Sequence, residues 1–439
     1  MVKKELIEKW EPYINDEIKF AGTSKLSGEK LAVTSQLLEN TDLALQHGQI
    51  EKSYASQLIV EDGPTNQTGG VQNYDPVLIN MIRRTAPNLV SFEIMGMQPM
   101  TGPNGTIFAL RSRYANQTGT EAFYNEANTG HASVTSGNNE IVGDATLNLG
   151  TNAVSPNTEV YNFSGGMTTA QLEALGASGN TAFAEMGISI EKVTVDAKGR
   201  GLKAEYSHEL AQDLKAIHGL EAEQELSGVL STEQIAEINR EAVRTVFVTA
   251  KVGAQSSGLT TAGTFDLDTD SNGRWMGERF AGLHYQIARE CNAVAKETRR
   301  GRGNILITSS DVAAALQMAG VLKYVEASAN LTVDDTGVTY AGTINGNVKV
   351  YIDPYAAIDF AVIGYKGSNS WDAGLFYCPY TPLQMVRAVG ENSLQPVIGF
   401  KTRYGMVANP FSKGATASDG SLEANSNVYY RKMAIANLV

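Results

Sequence analysis

The sequence has 439 residues, with 35 Lys and Arg against 47 Asp and Glu, a formal charge of −12. Hydrophobic residues at 42% and a mean hydropathy of −0.18 describe a globular chain of roughly three domains, without the ~18-residue apolar run of a bilayer span. The acidic balance excludes wrapping of nucleic acid by a basic face, and two cysteines, Cys291 and Cys378, exclude a disulfide framework or a Cys-based zinc site.

The N-terminal stretch is charged from Met1 to Glu11 and has no apolar segment of a secretory signal, so folding in a reducing compartment is expected. Residues 1–61 carry 7 Lys against 10 Asp and Glu, a charge of −3, which leaves −9 for 62–439. A short amphipathic helix is predicted over about Val2 to Trp10. A second helix is capped by Ser27, with Glu29 in its first turn and Leu31, Leu38 and Leu45 seven apart on one face. The segment Gly63-Pro-Thr-Asn-Gln-Thr-Gly-Gly70 is a loop by composition, which makes 1–61 a separable segment behind an accessible linker.

From Tyr114 to Glu191 there is no Lys or Arg, and Gly, Asn, Thr, Ser and Ala dominate. The alternations Ala145–Leu149 and Glu159–Phe163 predict strands. Large apolar residues are too few for a core, so an extended hairpin with a small β-rich insertion is expected, stabilised by packing on something else. Leu220 to Ala250 has no helix breaker except Gly228, and Leu226, Val229, Ile235, Ile238, Ala242, Val246 and Phe247 recur at helical spacing. At 1.5 Å per residue this is a rod of roughly 45 Å. Phe280 to Lys296 reads as a helix and Asn304–Thr308 as a buried strand. Ser309, Ser310 and Asp311 then cap a helix through Met318. Val348–Ile352, Phe360–Gly364, Gly399–Val407 and Val428–Ala434 are further predicted strands.

Catalytic and metal patterns are sought in vain. The five histidines, His47, His131, His208, His218 and His284, have no HxxxH or HxH partner. Asp266-Leu-Asp-Thr-Asp270 opens like a calcium loop, but position 6 is Ser271 and position 12 is Gly277, which favours an acidic surface turn. Gly301-Arg-Gly303 follows a helix and precedes a strand, the reverse of a phosphate-binding glycine loop, so these are turn glycines. Cys291 and Cys378 are expected as buried small apolar residues. No cofactor is expected. A large chain with a hairpin that lacks its own core points to assembly, not catalysis.

Several blocks carry a resemblance. Ile82-Arg-Arg84, Pro87-Asn-Leu89, Met97-Gln-Pro-Met100 and Phe108-Ala-Leu-Arg111 resemble the major capsid protein of T-even-type tailed phages (myoviruses). The resemblance continues through Glu185-Met-Gly187, Ala197-Lys198, Glu209–Asp213, His218-Gly219, Glu225–Gly228 and Glu237–Glu241. It resumes at Arg274-Trp275, Gly277-Glu278, Gly301, Gly303-Asn304, Tyr351–Asp353, Gly364–Gly367, Asp372–Gly374, Gly399–Gly405 and Asn409–Phe411. It covers about 81–112 and 185–411 closely; the insert at 113–184 looks shorter than the family's.

The resemblance implies an α+β chain with the Johnson fold. That means a cleavable propeptide over 1–61, an N-arm and entry to the peripheral domain over 62–112, and an extended loop with a small β-rich insertion over 113–195. A peripheral domain with a long spine helix would follow over 196–299, then an axial domain over 300–396, with 397–439 returning to the peripheral domain. It implies hexamers tiling a virion shell that encloses double-stranded DNA without sequence-specific binding, and assembly in the host cytoplasm. The implied partners are the vertex capsid protein, a scaffolding core protein, a prohead protease, the portal, outer decoration proteins, and the host chaperonin with a phage co-chaperonin. The family's protease cuts after Glu with Leu or Ile two residues before it. Ile59-Val60-Glu61 fits, with Asp62 as the new N-terminus; Leu6-Ile-Glu8, Leu37-Leu-Glu39 and Ile235-Ala-Glu237 also fit. Glu61 is favoured because it borders the Gly/Pro loop, whereas Glu237 lies in the predicted rod.

The vertex paralogue that forms pentamers on the same fold is the close alternative, and a cellular nanocompartment shell a further one. A soluble hydrolase using Asp334 and Asp335 or Asp266–Asp270 is the reading from another class. These acids have no partner base, and a solvated loop explains them better.

Overall fold

The computed structural model describes residues 4–15, 26–46, 89–123, 127–128, 131–132, 166–177, 182–255, 259–271, 273, 275–324, 339–390, 395–414, 416 and 418–438. In chain order the elements are α1 (Lys4–Ile14), α2 (Gly28–Gln46), α3 (Ser91–Ile94), β1 (Gly96–Met97), β2 (Asn104–Tyr114), α4 (Thr169–Glu173), β3 (Met186–Asp196) and β4 (Lys198–Glu205). There follow α5 (His208–His218), α6 (Ala222–Thr249), β5 (Ala250–Val252), β6 (Thr264–Asp266), α7 (Met276–Thr298), β7 (Ile305–Ser309), α8 (Ser310–Met318) and β8 (Leu322–Tyr324). The last are β9 (Thr339–Ile344), β10 (Val348–Asp353), β11 (Phe360–Gly364), β12 (Leu375–Val389), β13 (Pro396–Ala408) and β14 (Asn427–Ala436). The chain is α+β and divides into two units, 1–107 with 193–439, and 108–192.

The first unit is organised by a mixed sheet in the order β5-β14-β11-β7-β10-β9-β8, with β6 also on β14. Its centre is β7, where Ile305-Leu-Ile-Thr-Ser309 is buried at every position because both faces are covered. β10 runs parallel to β7 with Val350 opposite Leu306, and β11 runs antiparallel with Val362 opposite Ile307. Successive side chains alternate between two cores. Ile305, Ile307, Tyr351 and Val362 face a core shared with Ile238, Ala242, Val243 and Val246 of α6. Leu306, Val350, Ile352 and Ile363 face the other, closed by Leu283, Ile287, Cys291 and Val294 of α7 and Val312 and Leu316 of α8. Ser309 caps α8 as expected, its hydroxyl accepting the Val312 N–H.

A second sheet, β1-β12-β13-β4, packs Phe376, Cys378 and Val407 with Met100, Ile107, Val193 and Val195. Neither β12 nor β4 is among the expected strands. β12 contains Pro379 and Pro382 and is accommodated by register shifts between Pro379 and Thr381 and between Thr381 and Gln384. β4, Lys198-Gly-Arg-Gly-Leu-Lys-Ala-Glu205, has a loop-like composition, yet β13 offers it a hydrogen-bonding edge from Tyr404 to Val397.

The expected rod is α6, 28 residues and about 42 Å. Its N-terminal half differs from expectation: Leu230 and Gln234 are buried there, and Val229 points to solvent. The unexpected finding is α2. Leu31 and Leu38 pack on Trp10 and Ile14 of α1, as the heptad spacing suggests. Val33 and Leu37, on another side of α2, join Val90, Phe92 and Ile94 in the main core.

Within the second unit, the outer part of β2 and the start of β3 belong to a two-stranded ribbon. Ala115 N–H donates to Glu185 O at 2.9 Å, so the chain leaves and re-enters this ribbon at adjacent points. The strands expected at 145–149 and 159–163 lie outside the described residues.

Candidate assembly interface

The ribbon of the second unit is inverted relative to an ordinary half-buried strand. On one face Phe108, Leu110, Ile188 and Ile190 are 62%, 67%, 62% and 69% exposed. On the other face Arg111 is fully buried. Arg111 pairs with Glu121 and, at 2.8 Å, with Glu191. Arg113 donates to Ser189 Oγ at 2.8 Å and Gly119 O at 2.9 Å, and also reaches Glu191 at 3.3 Å. Burying charge is costly unless it is paired and hydrogen-bonded. The covered face is therefore held by directional ion pairs, while the greasy face has no cover within its own unit. Each of its four large side chains would contribute about 1.5–3 kcal/mol if fully buried. A contiguous exposed apolar stripe of this kind marks an interaction surface.

The second surface is the seat of α2 in the first unit. Besides Val33 and Leu37, the Asn40 side-chain amide donates to Met100 O at 2.7 Å and Tyr380 O at 2.9 Å. Lys366 donates to Phe92 O and lies 3.5 Å from Glu29. Burial pushes the Lys366 ammonium below its ordinary range, opposed by the nearby Glu29 and Glu93 carboxylates. Lys30 sits over the Phe92 ring. On its outer side Glu39 accepts from Lys9 Nζ and Trp10 Nε1, both at 2.8 Å, which ties α1 to α2.

α6 is pinned at both sheets. Arg200 of β4 reaches Glu237 at 2.9 Å and Glu241 at 2.7 Å, and also the Tyr404 hydroxyl. Arg240 pairs with Asp353 at the end of β10 and donates to Tyr355 O at 3.1 Å. Glu290 and Glu297 of α7 hold Arg431 of β14 at 2.8 and 3.0 Å. None of these pins is signalled in the sequence, because the partners are far apart in the chain and individually ordinary.

The proposed cleavage residues Ile59, Glu61 and Asp62 lie outside the described residues, as do Asp334, Asp335 and His47. The acidic stretch at Asp266–Asp270 is a braced turn. Asp268 pairs with Arg279, Asp270 accepts the Thr260 and Asp266 N–H groups at 2.9 and 3.0 Å, and Asn437 donates to Asp266 at 2.8 Å. Each carboxylate is engaged by the chain's own donors. Among the described residues no group of three His, Cys, Asp or Glu could hold a metal ion, and no helix is long and apolar enough to cross a membrane. Gly301 and Gly303 are close-approach glycines: a Cβ there would meet the Tyr365 ring at 2.5 Å and Ile363 at 2.7 Å. Both cysteines are buried, and burial pushes the Cys291 thiol up to about 11 and the Cys378 thiol up to about 12.

The family model described as Major capsid protein Gp23 matches residues 71–435. The chain is 40% identical over 419 residues to the major capsid protein of Serratia phage KSP90, covering 91% of this chain and 93% of that protein. It is 36% identical over 449 residues to the major capsid protein of Salmonella phage ViI, covering 97% and 99%. The capsid vertex protein of Enterobacteria phage T4 matches less, at 28% over 263 residues, 57% of this chain and 58% of that one. Among solved structures, one described as the capsid of Myoviridae Phage XM1 aligns over 88% of this chain and 98% of its own, with a TM-score of 0.40 and 8% identity. On the family match and the extent of these identities, the chain belongs to the Gp23 family of major capsid proteins, structural components of the virion shell and not enzymes.

Proposed function

We propose that the chain forms hexameric capsomers of an icosahedral shell around double-stranded DNA, and that proteolysis after Glu61 removes residues 1–61 as the shell matures. The observation that carries the assembly part is the ribbon with ions beneath and apolar side chains outside. Covering such a surface with a neighbour removes its apolar area from water, and a heterologous contact of this kind builds a ring when its rotation closes. The neighbour is a second copy of this chain. We read the chain in the Johnson-fold division: 62–112 as N-arm and 113–195 as extended loop, then 196–299 with α6 as spine and 300–396 as axial domain, a reading that the 28-residue length of α6 supports. Residues 397–439 return to the peripheral domain.

The hexamer role is favoured over the vertex role because the likeness to the curated vertex protein is both lower and shorter. Vertex protein, scaffolding core, portal, prohead protease and outer decoration proteins complete the assembly, and the host chaperonin with its phage co-chaperonin assists folding. Glu61 is the cut of choice because it borders the Gly63–Gly70 loop, whereas Glu237 lies within α6 and pairs with Arg200. The test is the intact mass of the chain in its largest native assembly. A chain beginning at Asp62 in a sedimenting shell is expected; a full-length soluble monomer in the mature source would overturn the reading.

A further inference from the structure

Helix α5 is amphipathic, yet its apolar side is left largely open in its own copy. Ser207 starts the helix, its hydroxyl accepting the Leu210 N–H at 3.2 Å, and Gly219 ends it in the left-handed region. Between these caps Leu210, Leu214 and Ile217 fall at i, i+4 and i+7, one stripe of a helix. Such a stripe ordinarily faces a core. Here no residue of α5 is buried, and Leu210 and Ile217 are 50% and 75% exposed. Glu209 and Asp213, one turn apart, border the stripe. Lys215, the one lysine of α5, lies 3.6 Å from Glu221. A solvated face accounts for the two acids but not for the apolar stripe beside them.

The solvent side of α7 has the opposite character. Tyr285, Arg289, Asn292, Lys296 and Arg299 follow one another at spacings of four and three, so they share one side of the helix. Tyr285 is 65% exposed, with the Arg289 guanidinium 5.8 Å from its ring centre. Lys296 and Arg299 are exposed, and so are Arg300 and Arg302 beyond them. Glu297, the only acid from 291 to 302, is already held by Lys251 and Arg431 at 2.9 and 3.0 Å. A helix C-terminus favours cations within its last turn. That preference does not reach Arg289 and Tyr285, which lie about three and four turns earlier.

The two surfaces belong to opposite ends of one rod. α5 leads into the start of α6, where Glu223 pairs with Arg387. The end of α7 is tied through Glu297 to Lys251, just past the end of α6. The 28 residues between span about 42 Å. Exposed charges are screened over about 10 Å at 0.1 M salt, so the acids of α5 and the cations at the end of α7 do not satisfy each other within one copy.

We propose that the apolar stripe of α5 docks on the basic side of α7 in a second copy of this chain. Tyr285 and the aliphatic stems of Arg289 and Lys296 cover Leu210, Leu214 and Ile217. The charged heads of Lys296 and Arg299 meet Glu209 and Asp213, which fixes the partner and its direction. The inference rests on the reading that copies of this chain assemble, and it adds a second contact to that of the ribbon. Because the two surfaces differ, each copy gives α5 to one neighbour and α7 to another.

The test compares particle formation, read by sedimentation from the natural source, with the full chain or its variants in place. One variant reverses the acids, Glu209→Lys with Asp213→Lys. A second reverses the bases, Lys296→Glu with Arg299→Glu, and a third carries all four changes. Either reversal alone is expected to abolish particles, and the fourfold variant to restore them. Net repulsion does not explain the first loss, because reversing two acids moves the formal charge from −12 to −8. Neutral variants guard against misfolding. Glu209→Gln with Asp213→Asn, and Lys296→Gln with Arg299→Gln, keep polar side chains at these exposed positions and are expected to lower the yield about tenfold. The proposal is overturned if either reversed chain or either neutral variant gives particles in normal yield. It is also overturned if the fourfold variant fails while each single reversal melts like the normal chain. Absence of particles from the normal chain would instead overturn the underlying reading of assembly.

Discussion

Arg111 is the residue on which the ribbon turns. It brings two carboxylates, Glu121 and Glu191, to a place where water does not reach its own side chain. Removing the cation leaves both acids without their main partner, a change that typically costs about 3–5 kcal/mol at buried pairs. Arg111→Ala is therefore expected to raise hydrogen exchange across 108–114 and 186–191 while leaving the first unit unchanged. Arg111→Lys recovers part of the loss, because a point charge cannot reproduce the guanidinium fork. Glu93 makes a second prediction. Burial, the largest single influence, pushes its carboxyl up, but Lys349 at 2.8 Å together with Lys30 and Lys366 holds the net value below the ordinary 4.5. A lowered folded-state value means stability that is present above pH 4.5 and lost as pH falls through the folded value. Acid titration followed by tryptophan fluorescence or calorimetry is expected to show a component in that window that Glu93→Gln removes. The two cysteines give a third. Only the thiolate reacts, and values of about 11 and 12 leave almost none at pH 8. Iodoacetamide is expected to spare the native chain and to label both sites in denaturant.

At the scale of elements, what was legible in the sequence is what repeats. α6 and α7 follow the helical period, and β7, β10, β11 and β14 are apolar runs or alternations that lie within two or three residues of expectation. β12 and β4 were not legible, because prolines and lysines are poor strand formers alone. Their pairing energy comes from β13, and no local pattern encodes it. The same limit applies to α2. A leucine heptad describes the side facing α1, whereas Val33, Leu37 and Asn40 become informative only when segments 60 to 340 positions away are brought beside them. Asn40→Ala would leave the carbonyls of Met100 and Tyr380 without that donor, a loss of about 1–3 kcal/mol. It is expected to show as faster exchange confined to α2. The apolar side of the ribbon makes the sharpest element-level prediction. Leu110→Asp and Ile188→Asp change side chains that touch solvent in the free chain, so melting should move by no more than about 0.5 kcal/mol. Assembly, read by sedimentation, should fail. Normal shells from these variants would show that another surface makes the contact.

For the molecule as a whole, charge and composition act together. The full chain carries −12, and 62–439 carries −9, so an assembled wall repels a polyanion at distances up to a Debye length of about 10 Å at 0.1 M salt. Emptied shells are expected to retain no double-stranded DNA at any ionic strength, measured by co-sedimentation; retention that falls with salt would contradict this. Between Tyr114 and Glu191 there is no lysine to form an isopeptide with a neighbour. Boiled shells should therefore run as single chains on a denaturing gel, without a covalent ladder.

The hydrogen bond from Ala115 to Glu185 has a consequence for what this shell can be made to carry. Because the two ends of the intervening segment meet, its length is decoupled from the ribbon beneath. Loop closure grows only logarithmically, about 0.6 kcal/mol for each doubling of length. A folded foreign module spliced into this segment beyond Phe123, so that Gly119 and Glu121 keep their contacts with Arg113 and Arg111, would burden the ribbon little more than the native segment does. Arg111, Arg113 and Glu191 would still clamp the base. The lattice would then repeat that cargo once per subunit, at a spacing set by the shell and not by the cargo.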